Sequence, residues 1–129
     1  MAINIATWNI NSVRLRAELV CKLLKNEQID VLCLQECKSP VEKIPLDVFS
    51  EIGFPYLVAR GQKGYNGVAI VSKFPLLEKG AVDFAGLGHA RHIAAQLENG
   101  ITIHNFYVPA GGDEPDRQKN EKFDQKLNY

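Results

Sequence analysis

The first third of the chain alternates between strand-like and helix-like hydrophobic patterns. Residues 2–8, AINIATW, alternate apolar and polar side chains with the two-residue period of a β-strand. Apolar residues then recur at helical spacing, which predicts a helix capped by Asn11 or Ser12 and ending near Glu27. The largely apolar segment 29–35, IDVLCLQ, has the pattern of a strand buried on both faces. This order of elements predicts a βαβ unit with two parallel strands.

The second of these strands ends abruptly on polar residues. The apolar run from Val31 to Leu34 is followed directly by Gln35 and Glu36. Parallel strands of a βαβ unit point their carboxyl ends to the same edge of the sheet, so Asn9 and Glu36 are predicted to emerge together. Ligands of α/β proteins bind at that edge. The pattern therefore predicts a functional site beside Asn9 and Glu36.

The middle of the chain predicts a short helix at 46–52 and two strands at 55–61 and 68–73. The loop 61–67, GQKGYNG, joins these strands and contains three glycines. It fits a mobile hairpin turn, which is the usual role of glycine-rich loops. It also fits a phosphate-contacting loop that presents a cation and an aromatic ring. The loop alone leaves both interpretations open.

A β-hairpin is predicted around Asn99-Gly100, the dipeptide typical of a two-residue type I′ turn. The flanking strands are RHIAAQLE at 91–98 and ITIHNFYV at 101–108. The predicted cross-strand pairs are His92 with Tyr107, Ile93 with Phe106, and Ala94 with Asn105. Asn105 and Tyr107 then share one face near the strand end, and His92 joins them across the ladder. On their own, such an asparagine and tyrosine more often form a structural hydrogen-bonded pair than a catalytic one.

Composition limits the classes of protein that the chain can represent. Its 129 residues are 46% hydrophobic and 23% charged, which predicts one domain spanning residues 1–129. Lys plus Arg and Asp plus Glu number 15 each, so net charge predicts neither nucleic-acid nor membrane binding. A signal peptide and an apolar run of about 20 residues are both lacking in the sequence, so we expect a cytoplasmic protein without a membrane partner.

The three cysteines are Cys21, Cys33 and Cys37, an odd number that favours reduced thiols over a disulfide framework. Cys33 and Cys37 could suggest a zinc site. On a strand, however, four residues span about 13 Å, which is too far for two ligands of one ion. The sequence therefore predicts buried structural thiols.

Five motifs together resemble the exodeoxyribonuclease III, or abasic-site endonuclease, branch of the endonuclease/exonuclease/phosphatase superfamily. They occur in the order and spacing of that branch along the whole chain. The motifs are WNINSVR at 8–14, LQECK at 34–38, GQKGYNGVAIVSK at 61–73, RHI at 91–93 and NFYVPAGG at 105–112. One such motif is weak evidence, whereas five in order are highly specific.

The resemblance implies an α/β fold of the DNase I-like type, a four-layer sandwich of two sheets with helices outside. It implies hydrolysis of phosphodiesters that depends on Mg²⁺, with Mn²⁺ as a possible substitute. The substrate would be double-stranded DNA, cut on the 5′ side of abasic sites or shortened from 3′ ends, in base excision repair. The loop 61–67 and the motif WNINSVR favour this branch over phosphoinositide or sphingolipid phosphodiesterases of the same superfamily.

The resemblance also implies roles for eight residues. Glu36 inherits the role of the metal-binding glutamate, and Asn9 supports the ion or its ligands. A carboxylate at the end of a buried strand is thereby explained, because Mg²⁺ prefers oxygen ligands and usually takes only one or two from the protein. The implied active-site residues near the scissile phosphate are Tyr107 and Asn105. The implied contacts to the DNA backbone are Arg91, Lys63, Gly64 and Tyr65, which position DNA without reading its sequence.

The sequence also departs from the family. The family's domain is about twice as long, and its GDxN motif and late Asp-His pair do not occur in these 129 residues. The segment 117–129 places Phe123 and Leu127 on one face of a predicted amphipathic helix. We therefore expect the N-terminal half of the fold, with the C-terminal half absent and no activity in isolation. The alternative is a non-catalytic remnant that binds DNA weakly.

A missing second half would also have a structural consequence. In the family the inner face of the N-terminal sheet packs on a second sheet, which we expect this chain to lack. The inner face would then expose a large apolar patch, and such patches promote association. Self-association through the exposed inner face is therefore predicted.

Overall fold

The computed structural model describes residues 2–84 and 86–109, which form two β-sheets with helices on one side. The first sheet contains β1 (Ile5–Asn9), β2 (Val31–Gln35), β3 (Tyr56–Arg60) and β4 (Val68–Ser72). The second contains β5 (Leu76–Gly80), β6 (His92–Leu97) and β7 (Thr102–Phe106). The helices are α1 (Ala17–Asn26), a 3₁₀ turn (Val41–Lys43) and α2 (Leu46–Glu51). The predicted helix with Phe123 and Leu127 lies outside the described residues.

The four-stranded sheet has the strand order β1-β2-β4-β3, and β1 runs parallel to β2. This arrangement confirms the predicted βαβ unit. Both helices pack on the outer face of the sheet because their apolar residues recur at helical spacing. The resulting cluster includes Leu32, Leu34 and Val71 from the sheet and Val20, Leu24 and Phe49 from the helices.

Helix α1 begins later than predicted. Asn11 and Ser12 adopt positive φ angles of 49° and 85°, so the chain turns there and the helix starts at Ala17. The Ser12 hydroxyl accepts a hydrogen bond from the Leu15 amide at 3.4 Å, and the Ser12 carbonyl accepts one from the Arg16 amide at 3.3 Å. Ser12 therefore stabilises the turn that precedes the helix, and the prediction of a cap at this position is wrong.

The second sheet covers most of the inner face of the first. Within the described residues, β5, β6 and β7 pack over β2, β3 and β4 in a buried cluster. Its members are Val31, Cys33, Val58, Val68, Ile70, Ile93, Ala95, Leu97 and Ile103. The expectation of a bare inner face is therefore wrong, because these strands supply the second layer. The inner side of β1 remains open, with Ile5 49% exposed. The broad apolar surface on which the predicted self-association was based is therefore largely covered.

The hairpin of β6 and β7 is shifted by one residue from the predicted register. The observed pairs are His92 with Phe106, Ile93 with Asn105, and Ala94 with His104. The loop contains three residues, because the Leu97 amide bonds the Ile101 carbonyl and only Gly100, at φ 91°, adopts a positive φ angle. A type I′ turn would need a positive φ at Asn99 as well. The observed register gathers the apolar side chains on the inner face.

The cysteines are free and buried, which confirms reduced thiols among the described residues. Cys33 lies between the sheets, whereas Cys37 lies in the cluster on the helix side. Burial raises the pKa of the Cys33 thiol to about 11 and that of Cys37 to about 12. Both side chains therefore stay protonated at neutral pH. Of the helices within 2–84 and 86–109, none has the length and hydropathy needed to cross a membrane.

Candidate functional site

At one end of the sandwich, several residues other than glycine adopt backbone conformations that such residues rarely adopt. The carboxyl ends of β1 and β2 meet there with the loop between β3 and β4. Five non-glycine residues in the described ranges have positive φ angles, and they lie in these segments: Asn11, Ser12, Glu36, Lys38 and Asn66. Such conformations cost free energy and cluster at functional sites. We call this end the site end, and the end with the 98–100 turn the opposite end.

Glu36 is the first residue after β2 and has a φ of 53°. Its carbonyl accepts a hydrogen bond from the Ser12 amide at 2.8 Å, and the Ile10 amide donates to the Gln35 carbonyl at 3.0 Å. Asn9 is exposed and lies opposite Gln35 at the end of β1. These bonds hold Asn9 and Glu36 on neighbouring chain segments, as the topology predicted.

Tyr107 and Arg91 complete a cluster around Glu36. Burial raises the pKa of Tyr107, and so do a hydrogen bond to Glu36 and its negative charge, while Arg91 opposes the increase. The Arg91 guanidinium lies 4.6 Å from the centre of the Tyr107 ring. The Tyr107 amide also donates to the Arg91 carbonyl at 2.7 Å. Tyr107 therefore keeps its proton at neutral pH and can donate a hydrogen bond beside a carboxylate and a cation.

Asn105 is a buried link between the two sheets, with 2% of its surface exposed. Its Nδ2 donates to the carbonyls of Leu34 at 2.9 Å and Ala69 at 2.8 Å. Its Oδ1 accepts from Nε2 of Gln35 at 2.8 Å, and Gln35 also donates to the Thr7 hydroxyl. These contacts are structural, because both donors of the amide bind main-chain oxygens. A catalytic role for Asn105 stays a prediction.

The loop between β3 and β4 is anchored to the segment that follows Glu36. The Asn66 carbonyl accepts a hydrogen bond from the Lys38 amide at 2.8 Å, and the Gly67 carbonyl accepts one from the Cys37 amide at 3.0 Å. These bonds favour a fixed presentation of the loop over a freely mobile turn. The loop residues implied to contact DNA are all exposed: Lys63, Gly64 and Tyr65.

His92 lies on the outer face of the second sheet, away from Asn105 and Tyr107. The prediction that it joins these residues is wrong, because the one-residue shift places it opposite Phe106. Its Nδ1 accepts a hydrogen bond from the Val82 amide at 2.9 Å, and its Nε2 lies 3.1 Å from Nδ1 of His104. Burial lowers the pKa of His92, with His104 and Arg60 adding to the effect.

The donor atoms at the site end suit a hard divalent cation. Glu36 offers a carboxylate and Asn9 an amide oxygen on the adjacent strand end. Among the residues that the structure describes, no group of three or more His, Cys, Asp or Glu side chains lies close enough together to hold a metal ion. This set fits Mg²⁺, which commonly takes one or two protein oxygens and fills its other positions with water and phosphate.

Sequence reasoning missed the supporting polar residues of this end. Gln35 links the sheets through Asn105, and the loop is connected to its neighbours by the bonds from Ala90 to Gln62 and from Lys38 to Asn66. The Asn66-Gly67 pair was a usable signal, because asparagine before glycine often adopts a positive φ angle. The partners of Gln62 depend on tertiary contacts and have no local signature.

Comparison with known proteins gives consistent results. Residues 6–128 match the model of the Endonuclease/Exonuclease/phosphatase family. The chain is 31% identical over 110 residues to exodeoxyribonuclease III of Haemophilus influenzae, a match that covers 81% of this chain and 41% of that protein. It is 33% identical over 117 residues to recombination repair protein 1 of Drosophila melanogaster, covering 85% of this chain and 16% of the other.

Solved structures show the same relationship. An AP endonuclease from Archaeoglobus fulgidus superposes with a TM-score of 0.84 and 37% identity, over 98% of this chain and 47% of that one. A 3′ phosphatase from Neisseria, bound to a product DNA hairpin, gives a TM-score of 0.79 and 35% identity, with coverage of 98% and 48%. The chain thus spans about half the length of these structures and has part of their DNase I-like fold. On the family match across residues 6–128, it belongs to the endonuclease/exonuclease/phosphatase family, with exonuclease III-type nucleases among its relatives.

Proposed function

We propose that this chain supplies the metal-binding and phosphate-contacting part of a DNA-repair nuclease of the exodeoxyribonuclease III type. The substrate is double-stranded DNA at abasic sites or 3′ ends, and the reaction is phosphodiester hydrolysis with Mg²⁺ or Mn²⁺. The observation that supports it most strongly is the cluster of Glu36, Tyr107 and Arg91 at the site end. A relative of similar structure is bound to a DNA product.

The residues of the cluster have distinct roles in this proposal. Glu36 and Asn9 hold the cation, which when bound stabilises negative charge on the phosphoryl oxygens. Tyr107 keeps its proton, because burial and Glu36 raise its pKa, and it serves as a hydrogen-bond donor near the scissile phosphate. The hydroxyl has a single proton, which the hydrogen bond to Glu36 uses in the free chain. In this proposal the hydroxyl turns to the phosphate once Glu36 holds the cation, and it then stabilises developing charge.

The backbone of DNA is held by groups around the cluster, the partly buried Arg91 and the exposed residues of the loop. Arg91 packs on the Tyr107 ring, so its cation is fixed beside the proposed scissile phosphate. Lys63, Gly64 and Tyr65 project from the anchored loop. Tyr65 meets the His89 ring edge-on, with 6.0 Å between ring centres. These contacts would position the duplex without reading its sequence.

A second candidate function is a non-catalytic module that binds DNA weakly. It is favoured by the limited donor set among the described residues, where one glutamate and one asparagine make the proposed metal site. We propose that the 129-residue chain alone does not hydrolyse DNA. The further catalytic groups would come from the other half of the fold that the relatives possess, in trans or in a longer form.

The two candidates separate in a complementation experiment. The chain is incubated with abasic duplex and Mg²⁺, alone and together with the segment of the Archaeoglobus fulgidus enzyme that follows the matched region. The nuclease proposal predicts cleavage only in the mixture, lost in Glu36→Ala and retained in Glu98→Ala, an exposed glutamate at the opposite end. DNA binding without cleavage in the mixture supports the non-catalytic module. Cleavage by the chain alone that is lost in Glu36→Ala refutes the proposed inactivity.

A further inference from the structure

The loop that carries Lys63 is joined to the segment before β6, which carries Arg91, through one side-chain oxygen. Oε1 of Gln62 accepts a hydrogen bond from the Ala90 amide at 2.6 Å and another from Nδ2 of Asn66 at 3.0 Å. The assignment follows from chemistry, because a main-chain amide can only donate and the atom facing it must be the oxygen. Both acceptor positions of this oxygen are therefore used.

The two donors belong to different parts of the site end. Asn66 is 5% exposed and has a φ of 53°, and its carbonyl binds the Lys38 amide two residues after Glu36. The next residue, Gly67, donates its amide to the Ala90 carbonyl at 2.9 Å. A Cβ at Gly67 would lie 3.3 Å from Cβ of Cys37, so the two segments already pack closely. The Asn66 side of the loop is thus fixed to the Glu36 segment.

Ala90 connects the same oxygen to the other half of the cluster. It immediately precedes Arg91, whose guanidinium packs on the Tyr107 ring and whose carbonyl accepts the Tyr107 amide. Ala90 is buried, and its amide and carbonyl bind Gln62 and Gly67, respectively. Gln62 therefore lies at the junction of three segments that hold the loop, the glutamate and the arginine–tyrosine pair.

We propose that Gln62 is a positioning residue that fixes the phosphate-contacting loop relative to Arg91 and Tyr107. The inference rests on the proposed function, because it assigns Gln62 to the alignment of that DNA-contacting surface. Gln62 acts through Ala90 and Asn66 and does not itself touch substrate. Without its oxygen, the loop keeps its charges but loses its alignment with the arginine. Ordering the loop against the duplex then costs conformational entropy, which weakens DNA binding.

The test compares two substitutions of nearly equal size. Gln62→Met removes the acceptor and keeps the length of the side chain, whereas Gln62→Glu keeps an acceptor at the same position. Hydrogen exchange of the Ala90 amide is measured on the whole chain without DNA. We expect exchange about tenfold faster in Gln62→Met, the equivalent of one lost hydrogen bond, and near-unaltered exchange in Gln62→Glu. Gln96→Ala, which removes a side-chain bond to Gly100 at the opposite end, is the matched control and leaves Ala90 unchanged.

The second readout is binding of a short abasic duplex in Mg²⁺ across a range of salt concentrations. Loss of alignment predicts roughly tenfold weaker binding by Gln62→Met with the same salt dependence, because the number of phosphate contacts is unchanged. Loss of a phosphate contact would lower the slope instead and would overturn the positioning role. Wild-type binding of Gln62→Met, or unaltered Ala90 exchange in it, also overturns the inference. If the unaltered chain binds no duplex, the proposed function itself fails.

Discussion

The two ends of the sandwich are built from the same strands but with different backbone chemistry. At the opposite end, the 98–100 turn obtains its positive φ angle from Gly100, and the Asn99 side chain accepts the Ile101 amide at 3.0 Å. At the site end, side-chain-bearing residues such as Glu36 and Asn66 adopt positive φ angles. A glycine would be less strained at these positions. The site end therefore keeps residues with side chains in unfavourable backbone conformations through a dense set of hydrogen bonds.

Stability should fall most when the inter-sheet link at the site end is removed. Asn105→Ala removes three buried hydrogen bonds and leaves the carbonyls of Leu34 and Ala69 without this donor. We expect the free energy of unfolding to fall by about 3 kcal/mol, because buried polar groups that lose their partners keep their desolvation cost. Urea unfolding measures the change.

The control for this prediction is Asn99→Ala at the opposite end. Asn99 is exposed and its side chain makes one bond to a turn amide, so the expected loss is under about 1 kcal/mol. Equal losses in the two variants would show that the ends do not differ in the way described.

A smaller effect is expected where Gly61 packs against the segment after Glu36. A Cβ on Gly61 would lie 2.5 Å from the Ser39 carbonyl oxygen and 2.7 Å from the Val41 amide nitrogen. Both neighbours are main chain and cannot rotate away, so Gly61→Ala should destabilise the chain by about 2 kcal/mol and shift the Glu36 amide resonance.

Gly100→Ala is the matched substitution at the opposite end. Its Cβ would meet open space, so only the positive φ angle of 91° opposes it, at a cost of about 1 kcal/mol. A Glu36 resonance that moves as much in Gly100→Ala as in Gly61→Ala would contradict the close packing at the site end.

A smaller change in stability is expected at acid pH, where His92 becomes protonated. The pKa of His92 is lowered from its ordinary 6.5, chiefly by burial and then by His104 and Arg60. The unfolded chain therefore binds a proton at higher pH than the folded chain does. The stabilising contribution of neutral His92 is complete above about pH 6.5 and is lost as pH falls through the lower pKa of the folded state.

Hydrogen exchange tests whether the loss of stability at acid pH arises at His92. Protonation of His92 at Nδ1 removes the acceptor of the Val82 amide, so that amide should lose protection on acidification after correction for intrinsic rates. The Ile101 amide at the opposite end should keep its protection. In His92→Phe the decrease in stability below pH 6.5 should be smaller; an unchanged decrease would assign it to other groups.

The hydrophobic pattern predicted the elements whose burial is regular. The period of two marked β1, and the apolar run marked β2, so the meeting of Asn9 with the Glu36 segment followed from topology. Strand β5 was missed because four of its five residues are exposed and Glu78 and Lys79 interrupt any apolar alternation. Without β5 as a strand, a second sheet in this chain was not predicted.

Details that depend on backbone angles or distant partners could not be predicted. The hairpin register depends on whether Asn99 adopts a positive φ angle, which the Asn99-Gly100 dipeptide does not determine. The predicted α1 cap failed because Asn11 and Ser12 turn the chain toward the Glu36 segment. The bonds of Asn105 join residues 36 and 71 positions away, so the sequence around Asn105 carries no sign of them.

The proposal that bears most on function is a divalent-cation site formed by Glu36 and Asn9 at the site end. Mg²⁺ and Mn²⁺ titrations followed by NMR on the whole chain test it most directly. We expect saturable changes at the amides around Asn9, Glu36 and Tyr107, with a roughly millimolar or weaker Kd because few charged ligands are present. These changes should disappear in Glu36→Ala and persist in Glu98→Ala. The same shifts in Glu36→Ala, or shifts confined to the opposite end, would contradict the assignment.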